Sequence, residues 1–502
     1  MKPLRRSTRA ALAALLGATA SCADTSATSL AAIAPAGNDR PAASAAEDTS
    51  RVVVDAGVTL GPVIRFERAS THSTSSPLPG EETRRYMQGL EHDVVRTWIQ
   101  TRYVYNKGNI DYNYRYEGSG VGAEDALAFY ATTGKSILIA LSAYNPTSVW
   151  PMPEGEALVD FLRETLIYYK RKYPNVRYIQ VGNEPDAGDD TMDHYYPIYR
   201  AYYRAVNGAN AALGLRGDDR ILISNGPFTS NVTNMVAYAH GFFAAFAADP
   251  DTSKRLDFFS FHNYGETDRP AQLLTARERI HEAMASHGIP PVPLFVSEYG
   301  LFGGSTLPVR MTLDSLMTMQ PAGMLTKAFY LYEGGVDAVF NWAIHHRTLP
   351  SKSQVADVAT GVLYPYGNML KLAHMLSERR TRIEATSRNI DANGLGTHAV
   401  AAMAPGKGVA ILVWNYHWRQ PAAPEDFTVH VKNLPHSAIG GQRVKRTIYL
   451  IDRDHNNVWT NPAQDSLVPT QVDEVRYSDA MTIPLSFQSG VALILLEHAR
   501  AR

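Results

Sequence analysis

Short apolar segments alternate with amphipathic segments from residue 63 onward. The amphipathic segments repeat apolar residues at helical spacing, as in Gly155 to Tyr173, Tyr195 to Leu213 and Leu363 to Glu378. The apolar segments have the length and composition of buried strands. There are eight of them: Val63 to Phe66, Val94 to Ile99, Ile137 to Ser142, Tyr178 to Gly182, Ile221 to Ser224, Phe258 to His262, Leu294 to Ser297 and Ala338 to Trp342.

Eight strand and helix units in regular alternation predict parallel strands joined by right-handed crossovers. Closure of such a sheet into a (β/α)8 barrel of the α/β class would bury every strand edge. A doubly wound open sheet is the competing architecture, but it needs a Gly-rich phosphate-binding first turn. Gly57 and Gly61 do not supply one. We therefore predict a barrel over residues 51–380.

The pattern changes after residue 380 to strands separated by turns. Alternating apolar segments with turn residues between them are typical of a β-sandwich, predicted here for residues 381–502. Residues 51–60, which begin Arg51-Val52-Val53-Val54-Asp55, could add one strand to it. The predicted sandwich strands are Gly408 to Trp414, Phe427 to Val431, Lys445 to Ile451 and Val491 to Leu496.

The first 22 residues have the layout of a signal peptide. A basic start is followed by an apolar stretch from Ala10 to Ala18, which is too short to remain as a membrane span. Cys22, the only cysteine of the chain, follows in Thr19-Ala20-Ser21-Cys22, which resembles a bacterial lipobox. We expect an exported protein, either a lipid-anchored periplasmic or outer-membrane lipoprotein or a secreted protein cleaved near Ala23. Residues 23–50 lack periodicity and are expected to form a disordered tether.

A glutamate closely follows two of the eight predicted strands. Glu184 lies after the fourth strand and Glu298 after the seventh, on opposite walls of an eight-stranded barrel, at the strand ends that form its active-site face. Cleavage of a glycosidic bond with retention needs one carboxyl that donates a proton and a second that attacks the anomeric carbon, about 5 to 5.5 Å apart. The pair therefore indicates glycosidase chemistry.

The neighbouring residues resemble a known group of enzymes. Asn183-Glu184-Pro185 and the later Ser297-Glu298-Tyr299-Gly300 resemble clan A glycoside hydrolases, and this resemblance implies that Glu184 is the acid/base and Glu298 the nucleophile. Leu256 to His262 and Tyr449 to Asn457 resemble stretches of glycoside hydrolase family 39, which includes β-xylosidases, α-L-iduronidases and exopolysaccharide endoglycosidases. The chain departs from that family at Val181-Gly182, where many members carry a tryptophan.

Side chains beside the two glutamates complete the predicted pocket. Asn183 is expected to donate its amide to the sugar hydroxyl next to the anomeric carbon, or to act only as a turn residue before proline. His262 is expected to reach the sugar or Glu298, or to be a hydrogen-bonded core histidine. We expect the charge of Glu298 to raise the pKa of Glu184.

Aromatic residues at the strand ends are candidates for sugar contacts. Tyr264 and Tyr299 could hydrogen-bond the nucleophile or simply pack. The resemblance implies that Trp342 forms an aromatic floor under the sugar, although a tryptophan at a barrel rim is also ordinary core. Weaker candidates for the same pocket are Arg96 and Trp98 in strand two and Tyr144 and Asn145 after strand three. A run of tyrosines between positions 103 and 116 is either a platform for further sugar units or a self-packed loop.

Composition narrows the function further. The chain of 502 residues has a formal net charge of −1, which offers no electrostatic footprint for nucleic acid. The adjacent His345 and His346 lack a suitably spaced third ligand, so no metal is expected. Ser297 lacks the context of a nucleophilic serine. We predict a cofactor-free retaining glycoside hydrolase that acts on a carbohydrate, with a transglycosylase or a non-catalytic carbohydrate-binding lipoprotein as alternatives; the sequence leaves its oligomeric state open.

Overall fold

The computed structural model describes residues 52–72, 77–116, 119–142, 152–187, 191–229, 231–303, 311–344, 355–357, 359–418, 425–487 and 489–499. The predicted signal peptide, Cys22 and the tether lie outside these ranges, and their assignment stays a prediction. Among the described residues, no helix has the length and apolar character needed to cross a membrane.

A sheet of eight strands forms a barrel, which confirms the predicted fold class. All of its described ladders are parallel. The gap between the two end strands of the sheet is bridged by hydrogen bonds such as those from Asp257 N to Ile223 O at 2.9 Å and from His262 N to Phe228 O at 2.7 Å, so the barrel is nearly closed. After a first strand β1 (Val52–Pro62) that belongs elsewhere, the barrel strands are β2 (Ala69–Thr71), β3 (His92–Gln100), β4 (Gly134–Ser142), β5 (Val176–Val181), β6 (Leu222–Ser224), β7 (Phe259–Asn263), β8 (Leu294–Tyr299) and β9 (Ala338–Asn341).

Helices follow the barrel strands and cover the outside of the sheet. In the helix that begins at Gly155, Leu158, Leu162, Leu166 and Tyr169 recur at helical spacing and are buried, so one stripe faces the barrel. The helices are α1 (Glu81–Gly89), α2 (Thr101–Tyr105), α3 (Ala123–Ala131), α4 (Gly155–Lys172), α5 (Met192–Ala212), α6 (Val232–Ala248), α7 (Ala276–Ser286), α8 (Leu313–Glu333) and α9 (Pro365–Ser377).

The first barrel strand differs from its prediction. Val63 to Phe66 form no strand, and the first barrel strand is the three-residue β2 further along the chain. This strand is short and largely polar: Ser70 donates its hydroxyl to Asn341 Oδ1 at 2.8 Å, and Thr71 donates to Ser297 O at 3.2 Å. Hydrogen bonds, and not an apolar run, satisfy its buried side chains, so hydrophobic periodicity could not locate it.

The remaining strands form a nine-stranded mixed sheet that folds over on itself as a sandwich. Residues of β13 and β16 share a hydrophobic core with β14 and β17, although these pairs lie at opposite ends of the strand order, so the sheet must fold into two layers. Its further elements are β10 (Thr381–Ser387), β11 (Gly396–Ala404), β12 (Gly408–Tyr416), β13 (Glu425–Lys432), α10 (His436–Ile439), β14 (Arg443–Ile451), β15 (Gln471–Arg476), β16 (Met481–Phe487) and β17 (Gly490–His498).

Strand β1 belongs to this second sheet. It pairs antiparallel with β10 and parallel with β13, and its residues Val52 and Val54 are buried in the sandwich core. The chain therefore passes through the β-domain before it enters the barrel and returns to the β-domain afterwards.

The sandwich packs on barrel helices α8 and α9. The contact is made by the face of β11, β12 and β17 that points away from the sandwich core. Several hydrogen bonds cross this seam, and two of them are made by aromatic side chains of β12. Trp414 Nε1 donates to Thr326 Oγ1 at 2.9 Å, and the hydroxyl of Tyr416 donates to the carbonyl of Thr267 at 3.0 Å. Thr267 lies in the loop that follows β7, so the sandwich touches a segment of the barrel's active-site face.

Two glycines, one in the turn between β11 and β12 and one at the start of β12, give a matched stability test. Both have a positive φ, but a Cβ on Gly408 would lie 1.9 Å from the carbonyl oxygen of Leu496, whereas one on Gly406 would meet nothing within 4 Å. Gly406→Ala should cost about 1–2 kcal/mol for the left-handed backbone. Gly408→Ala should cost a further 1–3 kcal/mol, approximately, because the β12–β17 ladder must shift. Equal losses of unfolding free energy in urea would contradict this prediction.

Candidate active site

The predicted glutamates meet at the C-terminal ends of the barrel strands. Glu298 lies in β8 and is 4% exposed, while Glu184 follows β5 with a φ of 48° and a side chain that is 29% exposed. The backbone of Glu184 is held by a hydrogen bond from its N–H to the carbonyl of Pro227 at 3.1 Å. One carboxylate is thus buried and fixed, and the other faces the opening.

Glu298 is held by one hydrogen bond to each oxygen. Arg96 Nη1 donates to Oε1 at 2.6 Å, and the hydroxyl of Tyr264 donates to Oε2 at 2.8 Å. Burial and the neighbouring carboxylate raise the pKa of Tyr264 well above its ordinary value, so its hydroxyl stays a donor. This arrangement orients the carboxyl group of Glu298 with one cation and one neutral donor.

Arg96 organises three side chains at once. This residue of β3 is fully buried, and besides Glu298 it donates Nε to Gln180 Oε1 at 2.7 Å and Nη2 to Asn183 Oδ1 at 2.7 Å. A planar guanidinium offers donors in a fixed fork, so it sets the three partners relative to one another. With its oxygen turned to Arg96, the amide of Asn183 has its nitrogen left as the hydrogen-bond donor.

His262 connects the two carboxylates. Its Nδ1 lies 2.7 Å from Glu184 Oε1 in hydrogen-bond geometry, and its Nε2 lies 3.5 Å from Glu298 Oε1. Burial by itself raises the pKa of Glu184, but the hydrogen bond and charge of His262 and the charge of Arg96 outweigh it, so this pKa lies below its usual range. The expectation of a raised pKa is therefore wrong. Arg96 neutralises the Glu298 charge that was expected to raise it.

The same three side chains could each offer one atom to a metal ion. Single ligand atoms of Glu184, His262 and Glu298 lie within 4.8 Å of one another. However, Arg96 and Tyr264 already donate to the oxygens of Glu298, and a guanidinium at 2.6 Å opposes a second cation there. The chemistry of this donor set favours carboxylate catalysis over metal binding.

Two tryptophans pack against each other and form an aromatic wall near Arg96. Trp98 and Trp342 are partly exposed, with ring centroids 5.0 Å apart and planes at 84°. The guanidinium of Arg96 lies 4.3 Å from the ring centroid of Trp98. The peptide bond after Trp342 is cis. Apolar ring faces next to a polar centre are a feature of small-molecule sites.

A cavity of about 480 Å³ opens on the Glu184 side of the site. Besides Glu184 it is lined by Thr229, Asn231, Tyr264, Gly265 and Gly303. The lining combines hydroxyl, amide and carboxylate groups with two residues that lack side chains, which leaves a polar space beside the more exposed carboxylate.

Several predicted residues lie elsewhere. The hydroxyl of Tyr299 lies 3.5 Å from that of Tyr366 in α9, so the structure does not bring it to Glu298. Tyr144, Asn145, His345 and His346 lie outside the described residues. Within the tyrosine run, Tyr114 accepts from Gln100 N at 2.7 Å, and Tyr112 stacks on Tyr168 at 3.8 Å. These contacts favour the self-packed loop.

Two polar residues of the site were not foreseen. Gln180, in β5, accepts from Arg96 as described; the only signal in the sequence was a polar residue inside an apolar strand. Asp186, two residues after Glu184, accepts from the N–H of Thr229 with both oxygens, at 2.9 and 3.0 Å. Burial raises the pKa of Asp186 to about 6. Its position two residues after Glu184 was the signal that the sequence offered.

Comparison with solved structures identifies the architecture. A glucosidase from Croceicoccus marinus superposes with a TM-score of 0.65 and 16% identity, over 90% of this chain and 100% of that one. The GH39 enzyme from Xanthomonas axonopodis pv. citri gives 0.61 and 16%, over 90% and 98%. A monomeric β-xylosidase from Caulobacter crescentus CB15 gives 0.59 and 16%, over 89% and 99%. The chain has the fold of these glycoside hydrolases. No protein-family model matches the sequence, and no curated protein does either.

Proposed function

We propose that this protein is a retaining glycoside hydrolase that cleaves O-glycosidic bonds by double displacement. The observation that carries the proposal is the close approach of the two carboxylates, whose nearest ligand atoms lie within 4.8 Å. Retaining enzymes hold their carboxyl groups about 5–5.5 Å apart, whereas inverting enzymes leave about 6.5–9.5 Å for a water molecule. The short separation in this site supports the retaining course.

In the first step, Glu298 attacks the anomeric carbon while Glu184 gives its proton to the leaving oxygen. The glycosidic C–O bond breaks, a glycosyl ester forms on Glu298, and the alcohol leaves with the proton of Glu184. The lone pair needed for attack belongs to the carboxylate that Arg96 and Tyr264 orient, while Glu184 faces the cavity where a leaving group can lie.

In the second step, Glu184 acts as a base. It takes a proton from water, the water oxygen attacks the anomeric carbon, and the ester bond to Glu298 breaks to restore both carboxyl groups. The lowered pKa of Glu184 keeps it ionised for this step. An incoming sugar hydroxyl in place of water would give transglycosylation with the same residues.

Asn183 and the tryptophan pair hold the sugar in this scheme. The amide nitrogen of Asn183, oriented by Arg96, is placed to donate to the hydroxyl beside the anomeric carbon, a contact that strengthens in the transition state. The faces of Trp98 and Trp342 suit the C–H surface of a pyranose ring.

The stereochemical course tests the proposal directly. Because similar folds occur in a glucosidase and a β-xylosidase, aryl glucosides and xylosides are the first substrates to screen, followed by oligosaccharides. Proton NMR of the first-formed product should show the anomeric configuration of the substrate. A product of opposite configuration, or no hydrolysis of any glycoside tested, would overturn the proposal.

The contact between His262 and Glu184 predicts a shift in pH dependence. Glu184 must be protonated in the first step, so kcat/KM falls as the pH rises through its pKa, and the optimum should be acidic. His262→Ala removes a cause of the lowered pKa. The falling limb of the kcat/KM profile should therefore move to higher pH, while His240→Ala on the surface of α6 should leave it in place. A falling limb that moves to lower pH in His262→Ala, or stays in place, would contradict the assignment of Glu184 as the acid/base.

A further inference from the structure

Helix α8 carries a lysine whose side chain is fully buried. Lys327 is 0% exposed, and its Nζ donates to three backbone carbonyls: Asn263 O at 3.1 Å, Gly265 O at 2.8 Å and Gly300 O at 2.8 Å. Burying a charge is expensive unless every donor finds a partner. The three ammonium protons match the three acceptors one to one.

The three carbonyls lie at the end of β7 and in the loops that follow β7 and β8 and present the site. Asn263 and Gly265 flank Tyr264, which donates to Glu298, and Gly300 lies two residues after Glu298 itself. The loops also touch directly, because Gly300 N donates to Asn263 O at 3.3 Å. A single ammonium group therefore holds the backbone on both sides of Tyr264 against the segment that carries Glu298.

The charge of Lys327 is needed for this geometry. A neutral amine has only two N–H donors and would turn a lone pair toward the third carbonyl. Burial lowers the pKa of Lys327 to about 7, and the nearby carboxylate of Glu266 acts in the opposite direction. Glu266 is itself fixed in the same loop by Asn263 Nδ2 at 2.7 Å and Val232 N at 2.9 Å.

We propose that Lys327 is a positioning residue for the nucleophile, which it holds in its attacking geometry by fixing the backbone around Tyr264. This inference rests on the proposed function, because it assigns Glu298 as the nucleophile. Lys327 touches neither carboxylate and acts only through the two loops. A displacement of the nucleophile by about 1 Å can cost about 10²-fold in rate.

The decisive variant is Lys327→Met, which keeps the unbranched side chain at nearly its full length and removes its charge and donors. We expect kcat to fall about 10- to 100-fold, with KM within about threefold of the wild type, because the loops lose their shared donor while the sugar-binding wall of Trp98 and Trp342 stays in place. Lys327→Arg keeps a cation and should recover part of the lost kcat.

Lys254 supplies a matched control. Its Nζ also donates to three carbonyls, those of Phe246, Ala247 and Asp249, at 2.8, 3.1 and 2.6 Å. These lie at the C-terminal end of α6, on the opposite face of the barrel from the site. Lys254→Met should lower the unfolding temperature and leave kcat unchanged.

A double-mutant cycle with Tyr264→Phe separates positioning from general loosening. If Lys327 acts through Tyr264, the fold-loss of kcat in the double variant should be much smaller than the product of the fold-losses in the two single variants. Multiplicative losses would overturn the proposal, and so would wild-type kcat in Lys327→Met. If Lys327→Met does not fold, Lys327→Arg takes its place in the double-mutant cycle, and multiplicative losses of kcat would again overturn the proposal. A wild type inactive on every glycoside would overturn the proposed function, and the role of Lys327 with it.

Discussion

Glu298→Gln is expected to lower kcat/KM by about 10⁴-fold or more, since the covalent step needs a carboxylate as nucleophile. The amide keeps one oxygen for Arg96 and nearly the same volume, so the fold should survive. The measurement is steady-state kinetics on the best glycoside found, together with thermal unfolding. Activity within tenfold of the wild type, in a preparation free of wild-type enzyme, would refute the nucleophile assignment.

Glu298→Ala makes a sharper version of the same experiment. Removing the carboxylate leaves the buried guanidinium of Arg96 without its charged partner, a change that costs about 3–5 kcal/mol in buried ion pairs. Azide, a small anion, can enter the space left by the side chain and attack the anomeric carbon. The expected product is a glycosyl azide of inverted configuration, and its absence at high azide concentration would count against the assignment.

Glu184→Ala should have the second largest effect, and one that depends on the leaving group. General acid catalysis contributes about 10²–10⁴-fold, so hydrolysis of an oligosaccharide should fall by that factor. A dinitrophenyl glycoside needs no proton to leave, so its first step should proceed and the glycosyl ester should accumulate. Azide should then yield a product of retained configuration, in contrast to Glu298→Ala.

Asp186→Asn is the matched control for Glu184. It changes a partly buried carboxylate two residues away and keeps an oxygen for the N–H of Thr229. We expect activity on both substrates within about threefold of the wild type. If Asp186→Asn reproduced the leaving-group dependence, the acid/base role would belong to Asp186.

The parts of the fold that were predictable are those in which apolar side chains determine the element. Seven barrel strands follow apolar runs, and structure and prediction agree on them to within a few residues. Strand β2 was misplaced because hydrogen bonds satisfy Ser70 and Thr71. Strands β10, β11, β15 and β16 were missed. Strands β10, β15 and β16 have few consecutive apolar residues; β15, for example, reads Gln471-Val472-Asp473-Glu474-Val475-Arg476 and is largely exposed. Strand β11 is rich in alanine, a residue that is depleted in strands, so its composition does not indicate a strand.

The candidate site was likewise predictable only in part. Glu184 and Glu298 could be found because a strand end and a short motif mark each of them. The direction of the Glu184 pKa could not, because it depends on contacts of Arg96 and His262 that form only when separate strands meet. Lys327 gave no signal, since a lysine in a helix is ordinarily a surface residue. Its role follows from three carbonyls that the barrel brings together.

The position of β1 affects the order of events during synthesis. Its antiparallel partner β10 begins at Thr381, 319 positions after Pro62, and its parallel partner β13 comes later still. At a synthesis rate of 5–20 residues per second, this interval lasts roughly 16–64 s. During that time the apolar segment Val52-Val53-Val54 lacks both neighbouring strands, and its backbone N–H and C=O groups stay unpaired. The first strand of the described residues to be synthesised is thus among the last to be paired, and a chain cut short within the barrel presents an open β-edge to its neighbours.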